Sequence, residues 1–165
     1  MAKPTKYAPH ICTGATIFAL LGIIFGLIFS SPVIIVLFLF PAAIYEAYRT
    51  EGKSTKAASI ILVAILFLQL IFIAFGVNFN VAEFLGAERQ QIGGYWVPLG
   101  DIKVVGPTII AILSIILFTK TWGVYTKWLA AVIFFTSFAI VYTLDPEVFE
   151  YLFRLALDEG LKNIK

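Results

Sequence analysis

Five apolar stretches, packed into 165 residues and nearly free of ionisable side chains, constrain this chain more than any other feature. A chain that is 61% hydrophobic and only 13% charged, with a mean hydropathy of +0.97, has too little polar surface to coat a water-facing globule. The lipid bilayer is therefore its expected solvent. The expected fold class is an all-α integral membrane protein, with residues 1–165 forming a single membrane domain.

A helix that crosses the roughly 30 Å hydrocarbon core needs about 20 residues. On that scale the sequence predicts five transmembrane helices, at about residues 11–29, 33–48, 57–77, 102–118 and 128–144. Ser30-Ser31-Pro32 separates the first two, because proline removes a backbone donor and clashes with the preceding turn. A single helix from Ile11 to Tyr48 would run about 57 Å at about 1.5 Å per residue, nearly twice the core thickness. The second, fourth and fifth spans are short. Flanking Tyr45, Tyr48, Trp122 and Tyr125 suit the interface, and Lys120 and Lys127 can snorkel toward it. Lys3 and Lys6 precede the first apolar run as in a signal peptide, but no small-x-small cleavage pattern follows, so that run reads as a retained span.

An outer loop at 78–101 and an amphipathic C-terminal helix at 146–160 complete the expected layout. The latter opens with Asp145 as helix cap and Pro146 at the first helical position. Phe149, Leu152, Phe153, Ala156 and Leu157 then fall on one face, suited to the outer leaflet, a partner or the chain's own bundle.

Five spans divide the charges unevenly. One side receives Lys3, Lys6, Arg49, Lys53, Lys56, Lys120 and Lys127 against only Glu46 and Glu51; the other receives five basic residues against eight acidic ones. The lysine-rich side is expected to be cytoplasmic, with the N-terminus inside and the C-terminus outside.

The order of features also recurs. The link Thr50-Glu51-Gly52-Lys53-Ser54-Thr55-Lys56 and the link Thr121-Trp122-Gly123-Val124-Tyr125-Thr126-Lys127 both fit T-x-G-x-x-T-K. Each preceding span opens near a proline followed by isoleucines, and each following span leads into a short amphipathic segment. This predicts a 1 + 2 + 2 arrangement, with a helical hairpin duplicated in parallel. The same motif also suits a helix end and a helix start, with glycine in a left-handed cap and Ser or Thr capping the next helix.

Polar groups at membrane depth are few. Gln69 is the one amide deep in a span and suits a hydrogen bond between helices. Glu46, three residues before Arg49, is a candidate polar site that suits a local interfacial pair or, alternatively, a proton-carrying carboxylate. Lys56 and Lys127, with Arg49 and Lys53, are candidates for holding anionic headgroups. In the first span Ala15, Ala19, Gly22 and Gly26 share one face, and Gly22 to Gly26 is a GxxxG pair; close helix packing is expected, within the chain or with a partner.

One histidine, His10, and one cysteine, Cys12, cannot supply a multi-ligand metal site, a two-histidine haem site or an internal disulfide. No catalytic residues and no cofactor are therefore expected, and no basic run with aromatics suggests nucleic acid. The expected partners are membrane lipids, other membrane subunits or a second copy of the chain. Three functions fit: a non-enzymatic accessory, structural or assembly subunit; a small carrier or channel built from duplicated hairpins; and, with only Glu46, Tyr45, Tyr48 and Arg49 to support it, a lipid-processing enzyme.

Overall fold

The computed structural model of the protein describes residues 6–77, 91–92, 95–96, 102–147 and 149–150. Over these residues the chain forms five long helices: α1 (Ala8–Ile28), α2 (Pro32–Arg49), α3 (Lys53–Ala74), α4 (Ile102–Lys120) and α5 (Val124–Leu144). All five are long and apolar enough to cross a membrane. Two short strands, β1 (Gln91–Ile92) and β2 (Tyr95–Trp96), pair antiparallel between α3 and α4.

The turn at Ser30-Ser31-Pro32 is built as its residues suggest. Ser31 N donates to Gly26 O at 2.9 Å and Ser30 N to Leu27 O at 3.2 Å, the paired bonds of a Schellman cap. Ser30 takes the left-handed conformation at φ 48°, and Pro32 starts α2, where its missing N–H costs nothing. The end of α3 repeats this cap with Gly76 at φ 62°, which is why the helix stops at Ala74 although apolar sequence continues to Val77. Val77 N and Gly76 N donate to Phe72 O and Ile73 O.

Helices α3 and α5 each begin four residues earlier than hydropathy suggests, at Lys53 and Val124. The first turn of α3 is polar and that of α5 mixes Val124 and Tyr125 with Thr126 and Lys127, so neither continues the apolar run, yet Lys56 N and Lys127 N already bond back to Gly52 O and Gly123 O. The expected role of the link glycines needs correction. Thr50 closes α2, so Gly52 stands two residues beyond that cap and becomes the N-cap of α3, as Gly123 does for α5. Only Gly52 has a positive φ, 113°; Gly123 lies at −85°. Thr55 and Thr126 do not cap from outside but donate from the first turn to Gly52 O and Gly123 O, at 3.3 and 2.7 Å.

Successive helices α2, α3, α4 and α5 are packed neighbours and α5 closes back on α2, so these four form a ring; α1 lies against α2 and α5. Ile35 and Leu39 of α2, Leu62 and Leu66 of α3, Ile110 of α4 and Ile133 of α5 are fully buried in the shared core. Their three- and four-residue spacings put them on the inner face of each helix. The buried face of α1 consists of small residues throughout: Ala8, Cys12, Ala15, Ala19, Gly22 and Gly26. Large apolar side chains, among them Phe29, Phe75, Trp128 and Phe135, project outward.

Beyond α5 the chain turns back on the bundle. Glu147 N donates to Asp145 Oδ1 at 3.1 Å, the cap geometry expected there. Phe149 packs against Val104 and Val141, with its ring edge-on to Phe138 and Tyr142. The rest of the expected helix at 146–160, and most of the expected loop at 78–101, lie outside the described residues.

Candidate functional site

The buried polar residues gather mainly at one end of the bundle, the end where α2 leads into α3 and α4 into α5. Glu46 and Arg49 sit in the last turn of α2 on the same face as Leu39 and Ala42, which carries both charged groups inward. Glu46 is 1% exposed and Arg49 5%. Thr50 Oγ1 donates to Glu46 Oε1 at 3.0 Å, and Glu46 Oε2 finds no hydrogen-bond partner among the described residues. The Arg49 guanidinium lies 5.8 Å from the centre of the Tyr45 ring and 5.4 Å from that of Tyr125, so rings of α2 and α5 both attract it. Its charge acts on Glu46 and on the buried Cys12 of α1. Three helices thus enclose one carboxylate and one guanidinium.

Lysines frame this end in different ways. Lys56 Nζ folds back to donate to Ala47 O, while Lys53 is exposed at the start of α3. Lys127 Nζ stands 5.7 Å above the Phe118 ring. Of the four basic residues expected to hold anions, Arg49, Lys56 and Lys127 are therefore engaged with the chain itself, Lys56 and Lys127 half-buried, and Lys53 faces outward. No group of three His, Cys, Asp or Glu side chains comes together among the described residues.

Toward the opposite end, Gln69 of α3 is 1% exposed and its Nε2 donates to Lys103 O of α4 at 2.7 Å. Gly106 makes the contact possible, since a Cβ there would lie 2.1 Å from Gln69 Oε1. Gly22 and Gly26 serve contacts within the chain: a Cβ on Gly22 would lie 2.3 Å from Phe38 Cβ, and one on Gly26 2.1 Å from Ile35 Cγ1. The glycine end of the small-residue face is occupied by α2. Trp128 Nε1 ties α5 to α1 by donating to Thr16 Oγ1 at 2.9 Å.

Thr50, Cys12, Tyr125 and Gly106 are the contributors that sequence reasoning left unassigned to any site. The spacing of Glu46, Arg49 and Thr50 on the core face of α2 was the available signal for the first cluster. The Gly106-Pro107 pair inside an apolar span was the signal for the second. No protein-family model matches the chain, and neither a curated protein nor a solved structure matches it.

Proposed function

We propose that the chain inserts in a cell membrane as this five-helix bundle and works without catalysis, as an accessory, structural or assembly subunit that acts by contact. One observation carries the reading: the interior is filled by the chain's own side chains, while the outward faces carry large apolar groups such as Phe29, Phe75, Trp128 and Phe135. In a bilayer those faces meet lipid, and they are the surfaces on which a partner helix can pack. Gln69 supports the same view, because its amide nitrogen is used to hold α4.

The end bearing Lys53, Lys56, Lys120 and Lys127 is cytoplasmic in this reading, on the charge asymmetry of the sequence. The N-terminus is then inside and the C-terminus outside. Extraction in mild detergent tests the function: a polypeptide held at fixed stoichiometry, and released by alanine at outward aromatics such as Phe135, is the expected result. A chain that purifies alone and carries a small solute across liposomes would overturn it in favour of a carrier.

A specific pattern favours that second reading. Residues 71 positions apart are buried alike in the two hairpins: Leu39 and Ile110, Ala43 and Ser114, Glu46 and Leu117, Thr50 and Thr121, Leu62 and Ile133, Gln69 and Ile140. The end of α2 at Arg49 matches the end of α4 at Lys120, and the start of α3 at Lys53 matches that of α5 at Val124. A duplicated parallel hairpin accounts for both matches.

A further inference from the structure

The two hairpins differ at one place in a way that opens a surface. In the first, the last turn of α2 carries Ala47, small enough for Lys56 to fold inward onto the Ala47 carbonyl. At the matching position of the second hairpin stands Phe118, and the matching lysine, Lys127, lies half-buried over its ring at 5.7 Å instead of bonding the backbone of the preceding helix. Beside it, Ala131 replaces the bulkier Ile60, and Phe134 replaces Val63. The result is a groove of about 260 Å³ between α4 and α5, walled by Phe118, Phe134 and Phe135 and floored by Ser114, Ala130 and Ala131.

We infer that this groove is a binding site for an anionic phospholipid, with an acyl chain lying between the phenylalanines and the headgroup phosphate at Lys127. The inference rests on the membrane placement proposed above, which puts the groove at the cytoplasmic leaflet. The groove itself is apolar: Ser114 turns its hydroxyl to Ile110 O at 2.7 Å and presents no free donor. Phe135 is 68% exposed, so the groove opens sideways, toward lipid in that placement. Lys127, seated over the Phe118 wall, supplies a positive charge beside the groove, and Lys120 lies exposed on the last turn of α4. An apolar slot ending in cationic groups complements a lipid with an acidic headgroup better than it complements a neutral lipid or an apolar helix.

The full-length protein, reconstituted in vesicles of phosphatidylcholine with a minority of phosphatidylglycerol and released for native mass spectrometry, tests the site. Wild type should retain phosphatidylglycerol in excess of its share. Lys127→Gln should reduce that preference by about five-fold, one near-surface charge, and Lys56→Gln should leave it unchanged. Ala131→Ile, which copies the first hairpin, should release the lipid with Lys127 intact. If Ala131→Ile does not fold, the two lysine variants still decide. Equal loss in both lysine variants would mean diffuse surface charge and would overturn the site, as would a dimer that buries the groove. A protein that resists alkaline extraction from the vesicles yet shows no lipid preference refutes this inference while leaving membrane placement intact; one that washes off refutes the placement as well.

Discussion

The carboxamide of Gln69 supplies the hydrogen bond that Pro107 removes. In an α-helix Lys103 O would accept from the N–H of residue 107, but proline has none, and Gln69 Nε2 takes that position from the neighbouring helix at 2.7 Å. In an apolar surround a freed carbonyl must find such a substitute. Gln69→Leu should therefore destabilise the bundle by about 1–3 kcal/mol, the cost of an unsatisfied buried acceptor. Pro107→Ala in the Gln69→Leu background should recover part of this by restoring the helix's own donor. Thermal unfolding of the purified protein in detergent reads both; a double variant no more stable than Gln69→Leu would refute the pairing.

Gly22 and Gly26 are contacts of α1 with α2, so their replacement should harm the isolated chain rather than only an assembly. A Cβ at either position meets α2 at 2.3 or 2.1 Å, and even alanine forces the helices apart. Each Gly→Ala change should cost about 1–3 kcal/mol, the range for overpacking. A lowered melting temperature for the purified single chain is the expected measurement. An unchanged one would mean that α1 packs elsewhere.

Glu46 and Arg49 are buried side by side, and removing one charge should be worse than removing both. Arg49→Leu leaves the Glu46 carboxylate inside with Thr50 as its donor, and should cost about 3–5 kcal/mol. Glu46→Leu combined with Arg49→Leu should cost less, because no unpaired charge is then left inside; α4 already carries leucine, Leu117, at the position matching Glu46. A double-mutant cycle on unfolding checks this; strictly additive losses would show that the two charges are not coupled.

Ser30 holds a left-handed conformation at φ 48° that glycine adopts without strain. Ser30→Gly should stabilise the α1–α2 turn by about 1 kcal/mol, seen as a raised melting temperature. A lowered one would show that the serine side chain outweighs its backbone strain.

The proposed orientation predicts that a tag on the N-terminus is shielded in sealed right-side-out vesicles and a tag on the C-terminus is open to reagent. Both tags on one face would contradict five crossings.

Composition and apolar run length determined the five helices, and Ser30-Ser31-Pro32 determined that the first two are separate, because proline and run length act locally and leave a local trace. Helix starts at Lys53 and Val124 were not legible from hydropathy, since first turns containing Lys and Thr hold helical hydrogen bonds without extending the apolar run. The small-residue face of α1 was readable, but not its partner: a stripe states how close a neighbour can come, not which helix comes. Tertiary structure alone decided that Arg49 lies against Tyr125, that Gln69 answers Pro107, and that Lys56 bonds Ala47 O while Lys127 lies over Phe118. Each of these relations joins residues on different helices or depends on the bulk of one neighbouring side chain, and such distances are set only when the helices pack.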